Sequence, residues 1–165
     1  MANNFAPKSR PRDVVQREFL MSFKPIHDPS HLYFITSSLV EWLPLFANNK
    51  YASIVLNSLD WHRKQKQILL YAFVIMPTHL HWISKPCEPF TVSEVLQSFA
   101  SYTAHEILKA LRSNGQDDWL AVFADHAKPG KKHHIWQKPL AKNVYSKEFL
   151  YEKLEYIHSN PVNKK

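Results

Sequence analysis

The chain has 165 residues, 45% of them apolar and 13% aromatic, and a formal charge of +7 with histidines neutral. That length suits one compact domain, and the positive balance favours a polyanionic partner. Two glycines exclude a glycine-rich phosphate loop, and one cysteine excludes a disulfide framework and fits a reducing cytoplasm; no run is apolar enough for a membrane span or a signal peptide.

Residues 1–30 carry four of the eleven prolines (Pro7, Pro11, Pro25 and Pro29). They read as an N-terminal arm with room for a short helix over Val14–Phe23, and residues 31–165 as the domain proper. His31–Leu39 is rich in β-branched and aromatic residues and reads as the first strand. Trp42–Phe46 is an apolar connector. Asn48 or Asn49 can cap a helix to about Lys66, with Ile54, Leu56, Leu59 and Trp61 as an imperfect stripe. The apolar run Gln67–Met76 reads as a buried strand. Pro77-Thr78 forces a bend, and His79–Ser84 reads as its hairpin partner. Thr91 or Ser93 caps the longest helix, which carries Val95, Phe99, Tyr102, Ile107, Leu108 and Leu111 and stops near Asn114-Gly115. Asp118–Asp125 fits helix or strand. Lys128–His134 is a basic turn, Ile135–Pro139 a short strand, and Ser146 caps a final helix to about Asn160. This order predicts an α+β fold, an antiparallel sheet with helices packed on one face, of the ferredoxin-like or palm-like kind.

The basic residues cluster at Lys8–Arg12, at Arg63, Lys64 and Lys66, at Lys128, Lys131, Lys132 and His133, and at Lys164-Lys165. Such clusters make salt-sensitive phosphate contacts without base specificity. The middle two are the expected DNA path.

His79 and His81 are separated by one residue. On a strand they share a face while Leu80 points into a core. A pair of this kind serves as metal ligands, as catalytic groups, as half of a zinc site or as structural histidines. No second cysteine or histidine pair has zinc-finger spacing. In the final helix Leu150, Leu154, Ile157 and Pro161 form the apolar stripe. Tyr156 lies about 200° from Leu154 at roughly 100° per residue, so it is off that stripe. Glu152, Tyr156 and Asn160 share another face. Tyr156 is therefore either surface decoration or presented to a partner.

Val74-Ile75-Met76-Pro77-Thr78-His79-Leu80-His81 resembles the VxMPNHxH segment of the HUH single-stranded-DNA transposases. Leu154–Val162 (LEYIHSNPV) resembles the YIxxNPV segment of their single-tyrosine branch, which is associated with repetitive extragenic palindromes. Further similarity lies at His31–Thr36, Trp42–Phe46, Ser98–Ile107 and Trp136-Gln137. The likeness spans about Leu32 to Val162, and the two motifs in this order, with a long helix between them, are specific.

The resemblance implies an HUH sandwich and a transposase that nicks and rejoins single-stranded DNA near hairpins. It implies Tyr156 as nucleophile, forming a 5′-phosphotyrosine, and His79, His81 and Asn160 as ligands of Mg2+ or Mn2+. It leaves open whether the protein works as a monomer or a homodimer. Thr78 stands where the family often has asparagine. Relatives continue with a basic and aromatic segment, whereas this sequence closes three residues after Val162. A non-catalytic DNA-binding relic is therefore the competing expectation. A ferredoxin-like RNA-binding module is a third, which leaves the paired histidines unexplained.

Overall fold

The computed structural model describes residues 31–160. The expected arm over 1–30, the terminal basic clusters and Pro161-Val162 lie outside the described residues.

Four strands form one antiparallel sheet: β1 (Leu32–Ser38), β2 (Ile68–Met76), β3 (His79–Pro86) and β4 (Leu140–Val144), in the order β2-β3-β1-β4. Among the described residues four α-helices accompany them: α1 (Asn49–Lys64), α2 (Val92–Ser113), α3 (Asp117–Asp125) and α4 (Lys147–Ser159). The caps explain the starts of three. Asn48 accepts the Lys50 N–H, Thr91 and Glu94 form a reciprocal capping box, and Ser146 accepts the Phe149 N–H. Gly115, at φ 62°, takes the left-handed turn that ends α2.

Register decides which side chains share a face. Ile35 lies opposite Trp82 and Ser37 opposite Leu80, while Thr36 lies opposite His81 and Ser38 opposite His79. The first set joins Tyr51, Val55 and Leu59 of α1 with Leu96, Phe99, Ile107 and Leu111 of α2 and Phe123 of α3 in the larger core. Trp82 and Leu80 are fully buried there. Each large apolar side chain removed from water contributes about 1.5–3 kcal/mol. On the opposite face Phe34, Val74, Met76, Ile83 and Val144 pack against Phe149, Leu150, Leu154 and Ile157 of α4.

The α+β antiparallel architecture is the one expected. The placement of all helices on one face is corrected: α1, α2 and α3 cover one face and α4 covers the other, because β1 and β3 present apolar residues at both parities. Ile135–Pro139 is not a strand. It contributes a single bridge, Trp136 to Leu39, and the fourth strand begins at Leu140. The stripe of α1 also differs. Tyr51, Val55, Ser58, Leu59 and His62 are buried, whereas Leu56 and Trp61 are exposed. His62 is a core histidine, hydrogen-bonded to Gln67 Oε1 at 2.6 Å, and burial lowers its pKa.

Candidate active site

The hairpin between β2 and β3 turns at Pro77-Thr78, pairing Met76 with His79 and Val74 with His81. The two-residue period then carries both imidazoles to the α4 face. Both are buried, and their ring centres lie 4.8 Å apart. Each has a threonine at Nδ1. Thr36 Oγ1 is 2.8 Å from His81 Nδ1, and Thr78 Oγ1 is 2.8 Å from His79 Nδ1. A hydrogen bond at one ring nitrogen fixes the rotation of the ring and selects the role of the other nitrogen.

Helix α4 brings Tyr156 over this pair. Its hydroxyl is 3.4 Å from His81 Nε2, and the two rings meet edge to face at 5.1 Å. Phe34 stacks on His81 at 5.4 Å and meets Tyr156 edge-on at 6.1 Å. Tyr156 is 43% exposed, so one side of the phenol packs while the other faces solvent. Asn160 lies one turn further, and its backbone N–H donates to the Tyr156 carbonyl. Its side chain is buried, and Nδ2 has no hydrogen-bond partner. Such a group is costly unless something satisfies it.

Four participants were not legible as such in the sequence. Phe34 and Thr36 are placed by β1 register alone. Lys153 sets its ammonium 5.9 Å from the Tyr156 ring centre and 5.5 Å from that of Phe34, with Glu152 ion-paired at 2.6 Å. Its position three residues before Tyr156 was a usable signal. Lys142, buried on β4 opposite Phe34, has its pKa pulled down to about 8, by burial first and by the neighbouring Lys153 second.

The basic residues are distributed differently. Arg63 and Lys64 close α1 and both pair with Asp60 at 2.7 Å, and Lys66 occupies the left-handed turn that follows. Arg63 lines a groove of about 550 Å3 with Tyr71, Phe73, Ile157 and His158. That groove contains neither His79 nor His81. Lys128, Lys131 and Lys132 are exposed on the loop after α3. On the same loop His133 has its pKa lowered by partial burial and then by Arg112 and Lys132. Among the described residues no helix is long and apolar enough to cross a membrane.

No protein-family model matches the chain, and no curated protein matches it in sequence. Its fold is similar to that of a REP-associated tyrosine transposase bound to a REP hairpin. That likeness has a TM-score of 0.62 and 16% identity, and it covers 86% of this chain and 73% of that one. It is also similar to a candidate transposase from Deinococcus radiodurans R1, with a TM-score of 0.51 and 14% identity, covering 78% of this chain and 88% of the other. At these identities the likeness establishes the fold. It is the fold that the two sequence motifs implied.

Proposed function

We propose that this chain is a metal-dependent enzyme that nicks and rejoins single-stranded DNA beside a hairpin, through a 5′-phosphotyrosine on Tyr156. The observation that carries the reading is the Tyr156 hydroxyl, 3.4 Å from His81 Nε2 at the end of the imidazole pair. A phenol held there, half exposed, is built to meet something outside the protein. The transposase neighbour that holds a REP hairpin supports DNA of that kind as the substrate.

The chemistry balances simply. The Tyr156 Oη–phosphorus bond forms as the phosphorus–O3′ bond breaks. The phenol loses its proton to water, and the departing O3′ takes one up. The 5′-phosphate stays on the protein until a 3′-hydroxyl, losing its proton to water, attacks the phosphorus; the phosphorus–Tyr156 Oη bond breaks, the phenolate takes a proton up, and the phosphodiester is restored. Thr36 and Thr78 hold the two imidazoles at fixed rotation. Lys153 keeps a cation beside the path of the phosphate. Lys66, Lys128, Lys131 and Lys132 supply sequence-independent attraction along the strand, with Arg63, Lys64 and His133 flanking it.

Among the described residues no three His, Cys, Asp or Glu side chains come together. The set available is His79, His81 and the amide oxygen of Asn160, with phosphate or water supplying the rest. The Asn160 amide oxygen would ligate the ion, whereas its unpartnered Nδ2 is a donor and suits a phosphate oxygen. This suits Mg2+ or Mn2+ completed by substrate better than a closed zinc site. When bound, the ion supplies Lewis-acid polarisation of the phosphate.

The test uses labelled single-stranded hairpin DNA with Mn2+ and a denaturing gel. The wild type is expected to form a covalent adduct, and Tyr156→Phe to bind DNA and form none. An adduct from Tyr156→Phe moves the nucleophile to Tyr151, which is exposed on the same helix. Binding without an adduct in the wild type makes the protein a non-catalytic DNA binder.

A further inference from the structure

The turn after β1 has a backbone that ordinary residues avoid. Glu41 and Trp42 have φ of 53° and 52°, both in the left-handed region, and neither is glycine. Such conformations persist where surrounding structure over-determines them, and they cluster at functional sites. Here the supports are visible. The Val40 N–H donates to the Ile135 carbonyl at 3.0 Å and the Trp42 N–H to the Leu39 carbonyl at 3.2 Å. His126, at the end of α3, reaches across to the Glu41 carboxylate at 2.9 Å and is itself tied to the Val122 carbonyl. The result holds out a tryptophan that is 53% exposed. The large apolar surface of an indole favours burial, so a fold that constrains one in water calls for a reason.

The reason lies in its neighbours. Trp42 meets His79 edge to face at 5.4 Å, His79 meets His81 at 4.8 Å, and His81 meets Tyr156 at 5.1 Å. Four rings are linked by successive contacts, with the phenol at one end of the chain, the exposed indole at the other and the imidazole pair between. Attack on a phosphodiester is in line: the entering and departing oxygens lie on opposite sides of phosphorus. With Tyr156 entering from one end, O3′ departs toward the other. We infer that Trp42 is a stacking platform for the base of the nucleotide that carries the departing 3′-oxygen, holding that nucleotide through cleavage so that its hydroxyl stays positioned for rejoining. This rests on the nicking reaction proposed above. The chemistry of the ligand is a single unpaired nucleobase. Indole–base stacking tolerates any base, since each has a π face. The contact therefore sets position and leaves sequence choice to other groups.

The experiment is a cycle on hairpin DNA with a single-stranded flank, its cut first mapped from the Tyr156-dependent adduct. Binding is measured in a Tyr156→Phe background, so the strand stays intact, with and without Trp42→Ala. Each protein meets DNA with a normal or an abasic nucleotide on the 3′-oxygen side of the cut. Either change alone is expected to weaken binding by between roughly fivefold and a hundredfold. Both together are expected to weaken it no more than one. Trp42→Phe should recover part of the loss. 2-Aminopurine at that nucleotide should be quenched by the protein that keeps Trp42 and not by the alanine variant. Additive losses overturn the inference, as does quenching confined to the nucleotide on the other side of the cut. Trp42 is exposed, so its variants should melt near the parent temperature, and a large drop in melting would assign it a structural role instead. A wild type that forms no adduct fails at the earlier step and removes the nicking reading together with this inference.

Discussion

Thr36→Val tests how the site is held. Valine keeps the shape and β-branching of threonine and removes one hydroxyl, which here is 2.8 Å from His81 Nδ1. His81 is 5% exposed, so little water replaces the lost partner. The net worth of a hydrogen bond is about 0.5–1.5 kcal/mol, and depriving a buried polar atom of its partner costs about 1–3 kcal/mol. The variant should therefore lose about 1–2 kcal/mol, or roughly 3–6 °C of melting temperature for a chain of this size. The effect on chemistry should be larger. With Nδ1 released, the ring can change rotation and tautomer, and Nε2 no longer faces the Tyr156 hydroxyl in one fixed way. Changes behind a ligating histidine typically cost about 10- to 100-fold in activity, and the adduct-forming rate should fall by that factor at saturating DNA. Thr36→Ser keeps the oxygen and should restore most of the rate. The assays are thermal melting and single-turnover adduct formation on the hairpin substrate. A full rate in a valine variant whose melting has dropped as expected would refute the orienting role. An equal rate loss in the serine variant would trace the effect to the lost methyl group and not to the hydroxyl.

Two further outcomes follow from burial. Lys142 holds a pKa near 8 in the fold, below its ordinary value, chiefly through desolvation. Between that value and the unfolded one the unfolded chain binds more protons, so this group's contribution to stability is unfavourable at pH 7 and is relieved as pH rises through about 8. Lys142→Met should be the more stable protein at pH 6.5 by about 1–3 kcal/mol, with the difference shrinking at pH 9.5; urea unfolding at both values checks it, and a constant difference counts against desolvation as the cause. Leu80 lies between the two histidines but points into the larger core, fully buried. Leu80→Ala should cost about 2–5 kcal/mol in urea unfolding, while the adduct-forming rate of the folded fraction stays near that of the parent. A stability loss under about 1 kcal/mol would contradict the alternation that separates core from site.

Much of the candidate site was legible because periodicity is local. Two residues apart on a strand means one face, so the spacing of His79 and His81 was enough to pair them. A tyrosine two positions after Leu154 on a helix must leave the apolar stripe, and Tyr156 does. Capping residues, the Pro77-Thr78 bend and the Asn114-Gly115 stop act within a few residues of themselves, and they put most element boundaries near where they are observed. What the pattern could not decide was partnership across the chain. β4 is Leu-Ala-Lys-Asn-Val, with weak strand propensity, and it is a strand because the outer edge of β1 offers it a ladder. Val55, Ser58 and His62 are buried on α1 in place of Leu56 and Trp61 because of where α2 and β2 lie. Periodicity says which residues share a face and is silent on what lies opposite. Hence α4 on the second face, Thr36 behind the His81 imidazole, Lys153 over Phe34 and the indole of Trp42 beside His79 are decisions of tertiary structure. Each depends on register between segments dozens of residues apart, and no local preference encodes that distance.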